Sequence, residues 1–131
     1  MILAVMILSA LVLSACGGGQ TSEAANVPAD YAGKTNPLGA DAAAAGQTLY
    51  GVQCASCHGD SGKGDGPAGQ ALTPPAANLV DSASANGDDY LYYRIAEGGA
   101  MDPFNSSMPP FKNVLSEDEI WQVVSYINTL K

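Results

Sequence analysis

Two cysteines and a histidine meet at one place in this chain, the stretch CASCH at residues 54 to 58. His58 is the only histidine, and the one further cysteine, Cys16, lies far upstream. Three chemistries place two thiols three positions apart: structural zinc binding, thiol redox exchange, and covalent attachment of haem. Each needs different companions, so the rest of the sequence decides between them.

The inventory of ligands favours haem attachment. Structural zinc requires four Cys or His ligands, and this chain reaches four only if the distant Cys16 is counted. A thioredoxin-like site would lie near a βαβ pattern, but the flanking segments lack Val- or Ile-rich strands. Haem attachment uses the whole motif, since Cys54 and Cys57 each form a thioether with a vinyl group and His58 becomes the proximal iron ligand. We therefore predict one covalent haem c with its iron.

Helices and a loop must position this motif. The Ala-rich stretch from Asp41 to Cys54 predicts a helix that ends at the motif. Residues 59 to 75 are dense in Gly and Pro and predict a loop, and the spacings required for a phosphate loop or a calcium loop are absent. Residues 88 to 97 predict a short helix with Asp88 as its N-cap. Residues 116 to 130 predict the last helix, with a capping box followed by apolar residues at helical spacing.

The start of the chain has a different composition. Residues 1 to 15 form an apolar run that is too short to span a bilayer and is typical of a signal peptide. The run ends at Leu13-Ser14-Ala15-Cys16, which resembles the lipobox of bacterial lipoproteins and implies lipidation of Cys16. A plain signal peptide with an unmodified cysteine is the alternative, and the absence of Lys or Arg before residue 34 departs from the usual pattern. Residues 16 to 40 predict a lipid-anchored flexible linker.

Charge and size limit the function of the remaining domain, residues 41 to 131. The net charge of the whole chain is −8, from 13 acidic and 5 basic residues, which excludes nucleic acid as a partner and favours a basic surface on any charged partner. A domain of this size has only a marginal core unless a haem adds apolar surface at its centre. With Cys54 and Cys57 on haem and Cys16 on lipid, no thiol is left for a disulfide. Haem ligation is therefore expected to stabilise the domain in place of a disulfide.

Residues 42 to 131 resemble the monohaem c-type cytochromes of the mitochondrial and bacterial cytochrome c fold. Besides the haem motif, Gly46 and Tyr50 match the glycine and the aromatic residue of the family's N-terminal helix, and Val123 and Tyr126 match their contacts on the last helix. The resemblance implies an all-α, small cytochrome c fold with three to four helices wrapped around one covalently bound haem.

The resemblance also implies that a methionine before the last helix is the distal iron ligand. Met108 is expected to fill this role, because Pro109 favours extended backbone at Met108 and the capping residue Ser116 follows at the expected distance. Met101 is the less favoured ligand and fits a role in core packing better. An open sixth position is the remaining alternative.

Two further contacts of the haem site are left open by the sequence. A backbone carbonyl near a proline is implied as the acceptor for the other His58 nitrogen, and Pro74, Pro75 and the run 77 to 79 are all candidates. The haem propionates need donors, and Tyr92, Tyr93 and Arg94, with Tyr90 beside them, are candidates. The alternative is that this helix simply covers the pocket with amphipathic side chains.

The function that follows is single-electron transfer by a membrane-tethered monohaem cytochrome c of a respiratory or photosynthetic chain, at the outer face of the cytoplasmic membrane or in the periplasm. The chain is expected to be an electron carrier and not an enzyme, with redox proteins or complex subunits as partners and no small-molecule substrate. One alternative is a fixed subunit of a larger quinol-oxidising complex such as alternative complex III. Another is a gas sensor or a peroxidase-like enzyme with an open sixth position.

Overall fold

The computed structural model describes residues 26–39 and 41–131, and over this part of the chain it consists of helices and turns without a strand. The helices are α1 Ala42–Gln53, α2 Ala55–His58, α3 Pro67–Gln70, α4 Leu79–Ala85, α5 Asp88–Glu97 and α6 Glu117–Thr129. The all-α prediction is confirmed, and the short helices α2 to α4 raise the number from three or four to six. None of the described helices is long and apolar enough to cross a membrane.

The first and last helices of the domain pack closely against each other. A Cβ atom at Gly46 of α1 would overlap the backbone carbonyl of Gln122 in α6, so only glycine permits this approach. One turn further along α1, the ring of Tyr50 lies 5.1 Å from the ring of Tyr126. Val123, which was expected at this contact, is fully buried beside it. The helix contact expected from Gly46 and Tyr50 is therefore present.

Helix α6 supplies the largest share of the core, and its start is capped as expected. The Ser116 amide donates to Glu119 Oε2 at 2.8 Å, and the Glu119 amide donates to Ser116 Oγ at 3.3 Å, which completes a capping box. The buried side chains of this helix follow a helical period: Ile120, Trp121, Val123, Val124 and Ile127. They pack against Tyr50 from α1 and Leu91 and Ile95 from α5.

Three details of the short helices differ from expectation. The N-cap of α5 is Gly87, and Asp88 is the first helical residue, where its Oδ1 accepts a 2.8 Å hydrogen bond from Asn128. The loop predicted for residues 59 to 75 contains α3, a single turn that starts at Pro67. Helix α4 was not predicted, although its N-cap Asn78 accepts from the amides of Val80 and Asp81. Helices of one or two turns are too short for a periodic pattern to reveal them.

Residues 26–39, named the strap here, lie against the domain instead of standing free. The Tyr31 hydroxyl donates to Glu97 at the end of α5, and the Gly33 amide donates to Asp89 Oδ2 at 2.9 Å near its start. The Tyr31 ring also lies 5.3 Å from the Tyr93 ring. The strap therefore runs along α5 and contacts both of its ends.

The strap also binds α6 through one asparagine. Asn36 Nδ2 donates to Ser125 Oγ at 2.8 Å and to the Trp121 carbonyl at 3.3 Å. Leu38 packs against the core just before α1 begins. Within the linker predicted for residues 16 to 40, the strap therefore makes contacts with the domain, while the signal peptide and Cys16 lie outside the described residues.

Candidate functional site

A cavity of about 300 Å³ lies between α2, α5, α6 and the loops that follow the motif and α5. Its walls are mainly apolar and are formed by Leu72, Pro74, Pro75, Ala76, Ala77, Leu79, Ile95, Phe104, Pro109, Phe111, Val123 and Ile127. Arg94 is the one acidic or basic residue besides His58 among the lining residues. A cavity of this size and character is typical of a site for a mainly apolar ligand with a few polar groups.

The haem motif forms one wall of this cavity. Helix α1 ends at the motif, where the Cys54 amide donates to the Tyr50 carbonyl at 2.8 Å, and α2 then adds one turn in which the His58 amide donates to the Cys54 carbonyl at 2.9 Å. This turn brings Cys54, Cys57 and His58 to the cavity together. Burial raises the pKa of the Cys54 thiol to about 12, with the Cys57 thiol as the next cause.

The His58 ring is held in one orientation and one tautomer. Its Nδ1 lies 2.9 Å from the Ala77 carbonyl oxygen. A carbonyl can only accept, so Nδ1 carries the hydrogen and Nε2 keeps a lone pair for a metal ion. Burial lowers the pKa of His58, and the positive charge of Arg94 acts in the same direction against the effect of the Ala77 bond. Of the candidates left open by the sequence, Ala77 is therefore the residue that orients the imidazole.

Glycines of the loop after the motif allow this loop to pack directly on the motif. A Cβ atom at Gly69 would overlap the carbonyl oxygen of Cys57, and one at Gly66 would lie 2.6 Å from the carbonyl carbon of the same residue. Gly64 has a φ of +77° and passes close to the carbonyl of Ala76. The glycine content of the loop thus serves close packing, which carries Ala77 to its place above the His58 ring nitrogen.

The two candidate methionines occupy different environments. Met108 lines the cavity and packs partly buried against the core, and its carbonyl accepts the Gly99 amide at 3.0 Å. Met101 is not among the lining residues, and its carbonyl accepts the amides of Phe104 and Asn105 in a turn. The structure therefore brings Met108, and not Met101, to the same cavity as His58.

Arg94 is fixed at the cavity by three contacts. Its Nη1 donates to the Tyr90 hydroxyl at 3.1 Å, its Nε donates to the Gly98 carbonyl at 3.3 Å, and its guanidinium carbon lies 3.4 Å from the centre of the Phe104 ring. A guanidinium held in this way is suited to pair with a carboxylate. Phe104 was not predicted from the sequence, although it is the aromatic residue that precedes Met108 in this loop.

Tyr92 and Tyr93 are not among the residues that line the cavity, and their contact with haem propionates stays a prediction. The Tyr92 ring stacks on Trp121 at 4.4 Å, and the Tyr93 ring lies against Tyr31 of the strap. Successive helical residues point about 100° apart, so α5 presents Arg94, with Tyr90 four residues before it, to the cavity side and turns Tyr92 and Tyr93 away from it. Only Arg94 of the proposed propionate contacts lies at the cavity.

These features fit a covalently attached haem. The two thiols and the free imidazole nitrogen come from one turn, a thioether sulfur comes from the loop after α5, and a single cation stands among apolar walls. Thioethers, imidazole and methionine are the groups that hold haem c and its iron. The donor set thus matches the predicted cofactor, while the individual roles of these residues stay predictions.

Residues 43–131 match the cytochrome c family. The chain belongs to the cytochrome c family. Members of this family carry covalent haem c with its iron and transfer electrons, so the prediction of the cofactor and of an electron-transfer protein is confirmed. The strap precedes the matched residues and is therefore an addition to the part of this cytochrome that the family shares.

Similar proteins include one of nearly the same size as the cytochrome domain. Cytochrome c-554(547) of Halothiobacillus neapolitanus is 37% identical over 91 residues, which cover 68% of this chain and 97% of the relative. Subunit CcoP of a cbb3-type cytochrome c oxidase from Rhodobacter capsulatus is 34% identical over 92 residues, which cover 67% of this chain and 29% of that protein. Thiosulfate dehydrogenase of Stutzerimonas stutzeri is 35% identical over 94 residues, which cover 71% of this chain and 29% of the enzyme.

One solved structure has a similar fold. A chain of the reducing HAO-like protein complex of Kuenenia stuttgartiensis superposes with a TM-score of 0.57 at 25% identity, over 72% of this chain and 46% of that chain. The cytochrome domain thus occurs both as nearly a whole protein and as part of longer ones.

Proposed function

We propose that this cytochrome is a membrane-tethered single-electron carrier of a respiratory or photosynthetic chain. The observation that supports this most strongly is the meeting of Cys54, Cys57, His58 and Met108 in one apolar cavity. The match with cytochrome c-554(547) over 97% of that relative adds support, because that relative consists almost wholly of one such domain. Redox proteins are the partners that this function requires.

The residues of the cavity divide the work of holding and tuning the cofactor. When bound, the haem supplies a one-electron couple at its iron. Ala77 holds the His58 ring so that its Nε2 would bind the iron without rearrangement, and Met108 would provide a sulfur as the second protein ligand. The apolar walls keep water out, and a Met/His pair in such surroundings favours the reduced state. Arg94 balances the charge of a propionate.

The test of this proposal is ligand binding by the reduced wild-type holoprotein. Two axial protein ligands leave no position for carbon monoxide, so the absorption band of the iron–methionine bond is expected to persist when the gas is added. Rapid binding of carbon monoxide would instead support a gas sensor or a peroxidase-like enzyme with an open sixth position. The relative named thiosulfate dehydrogenase makes an enzymatic role worth this direct test.

The membrane tether is proposed to be lipid attached to Cys16, which places the domain at the outer face of the cytoplasmic membrane or in the periplasm. The support is the lipobox-like sequence before Cys16. Stable attachment takes two or more acyl chains, each buried CH₂ contributing about 0.8 kcal/mol. We expect Cys16→Ser to release the cytochrome from washed membranes, measured by haem absorbance in the supernatant. A variant that stays bound at high salt would contradict lipid attachment.

A fixed subunit of a larger quinol-oxidising complex, such as alternative complex III, is the second candidate. It is favoured by the relatives in which this domain is only part of a longer protein, one of them named as an oxidase subunit. Gentle solubilisation of the membranes distinguishes the two functions. A free carrier migrates alone in size-exclusion chromatography, whereas a fixed subunit co-purifies with membrane proteins.

A further inference from the structure

The strap and the mouth of the cavity lie on opposite sides of the α5–α6 layer. On α6 the strap contacts Trp121 and Ser125, whereas Val123 and Ile127 line the cavity. At 100° per residue, the midpoints of these two pairs are about 160° apart around the helix. Val123 and Ile127 are buried at the floor of the cavity. The mouth therefore opens away from the strap.

The mouth itself is marked by the exposed lining residues. These are Pro74, Pro75, Ala77, Ser107 and Pro109. All five are uncharged, and they belong to the loops on either side of the cavity. The acidic side chains that give the chain its net charge are therefore absent from these lining positions.

Chain length determines whether the attachment point can reach this mouth. A domain of about 90 residues has a radius of gyration of about 12 Å, which corresponds to a sphere about 30 Å across and about 50 Å around half its surface. Nine residues, 17 to 25, separate Cys16 from the strap, and nine residues span at most about 30 Å. With the strap released, the 23 residues 17 to 39 span at most about 75 to 85 Å. With the strap docked, the chain between Cys16 and the strap is therefore shorter than half the way around the domain, whereas the released chain is longer than that path.

We propose that the strap orients the cytochrome, holding the cavity mouth away from the point at which Cys16 is attached. Its partner is then a redox protein that reaches the mouth from the aqueous side, and not an acceptor buried in the membrane beneath the domain. The proposal rests on attachment through Cys16 and adds the direction in which the cavity mouth faces relative to that attachment. The strap lies outside residues 43–131, so this orientation belongs to the present chain and not to the shared family fold.

Electrochemistry tests the orientation independently of lipid. The mature holoprotein, exported with a signal peptide that does not direct lipidation, is coupled through the Cys16 thiol to a maleimide-coated electrode. The reference protein carries Cys16→Ser and Ser107→Cys, which couples it at the mouth. We expect electron exchange with the electrode to be at least about tenfold slower for Cys16 coupling, because a domain about 30 Å across separates the mouth from the electrode. Equal rates for the two couplings would overturn the proposal.

Releasing the strap is expected to remove most of this difference. Tyr31→Ala together with Asn36→Ala deletes the strap's bonds to Glu97 on α5 and to Ser125 on α6. The rate through Cys16 is then expected to rise several-fold toward that of the mouth-coupled protein, because 23 residues allow the domain to turn over. The matched control Thr35→Ala changes an exposed strap residue and is expected to keep the slow rate.

One additional measurement makes the outcome of the strap variant unambiguous. Hydrogen exchange at the Gly33 amide reports whether the strap has left Asp89. A slow Cys16 rate that persists in a variant with a released strap contradicts the proposal. If the double variant fails to take up haem, the proposal is still tested by comparing the electron-exchange rates of the proteins coupled through Cys16 and through Ser107→Cys. Failure here leaves the Cys16→Ser membrane test unaffected, so orientation and anchoring are judged separately.

Discussion

The two faces of the α5–α6 layer are completed in different ways. The cavity face presents Ile95, Val123 and Ile127 as apolar walls with Arg94 beside them, and this surface is completed by a bound cofactor. The strap face presents Tyr92 and other aromatic rings, and the chain itself covers it. The packing of the cavity face therefore depends on the cofactor, whereas the packing of the strap face depends on the polypeptide alone. Changes on the cavity face should therefore affect haem and folding together, whereas changes on the strap face should affect docking alone.

The largest effect is expected from removing one attachment point on the cavity side. Cys57→Ala should prevent stable haem attachment, and the domain should then lose most of its helical signal, since about 90 residues have only a marginal core without the macrocycle. Far-UV circular dichroism and haem staining after denaturation measure both effects. Ser56→Ala, an exposed change in the same turn, is the control that keeps the haem. A well-folded domain without haem would contradict the claim that folding of the cavity face depends on the cofactor.

The next effect concerns the distal ligand. Met108→Ala should open the sixth position, remove the iron–sulfur band and lower the reduction potential substantially, because a thioether favours ferrous iron. Met101→Ala is the matched control and should leave all three nearly unchanged, since Met101 does not line the cavity. Redox titration with optical spectra compares the two variants. Loss of the band in Met101→Ala, with its retention in Met108→Ala, would reverse the assignment.

A smaller effect is expected where α1 meets α6 behind both faces. Gly46→Ala forces a methyl group into the Gln122 carbonyl and should lower the free energy of unfolding by about 2 to 3 kcal/mol, the usual cost of overpacking. Gly51→Ala in the same helix has open space around its Cβ and should be neutral or stabilising by about 0.5 to 1 kcal/mol. Denaturant unfolding of the two holoproteins gives the difference. Equal free energies of unfolding for the two variants would show that α1 and α6 can move apart without a loss of stability.

A still smaller effect is expected on the strap face. Tyr31→Phe removes the hydroxyl that donates to Glu97 while keeping the ring against Tyr93, and should weaken strap docking by about 1 kcal/mol. Hydrogen exchange at the Gly33 amide measures this docking, and the reduction potential should not change. A shift in potential would show that the strap face and the cavity face are coupled.

The smallest effect is a dependence of strap docking on pH. Hydrogen bonding to Lys112, and then to Tyr31, lowers the pKa of Glu97 below its ordinary value of 4.5. A carboxyl group whose pKa is lowered by folding stabilises the folded state above its unfolded pKa, and the contribution is lost as pH falls through the lowered pKa. Strap docking should therefore be constant near neutral pH and weaken below about pH 4.5. In Glu97→Gln this acid-dependent loss should disappear.

The functional residues of the cavity face were largely predictable, because they belong to short motifs of recognisable residue types. Cys54, Cys57 and His58 form one motif, and Met108 stands before a proline in the loop that the resemblance indicated. The choice of Ala77 as the partner of His58 was not predictable, because it depends on how closely the glycine loop packs on the motif. Tyr92 and Tyr93, proposed as propionate contacts, pack on Trp121 and Tyr31, and the sequence did not indicate this because a short helix with aromatic residues at successive positions has no clear polar face.

The strap was missed for a different reason. Residues 26–39 carry few apolar side chains, and their composition of Gly, Pro, Asn and Lys is typical of a linker. What holds them is a set of single contacts, such as those of Tyr31 and Asn36, with partners distant in sequence. Helix α6 shows the opposite case, because its capping box and apolar stripe are local and periodic. Long periodic signals such as those of α6 were therefore predictable from the sequence, whereas isolated long-range contacts were not.

The contact between Gly46 and Gln122 joins two parts of the chain that are made at different times. The two residues are 76 positions apart, and closing such a loop costs about 4 kcal/mol of chain entropy. In a chain exported N-terminus first, as the proposed localisation implies, α1 and the CASCH motif emerge before α6. We expect the thiols to be accessible for haem attachment during that interval. The domain is then expected to close around the cofactor once α6 packs against Gly46.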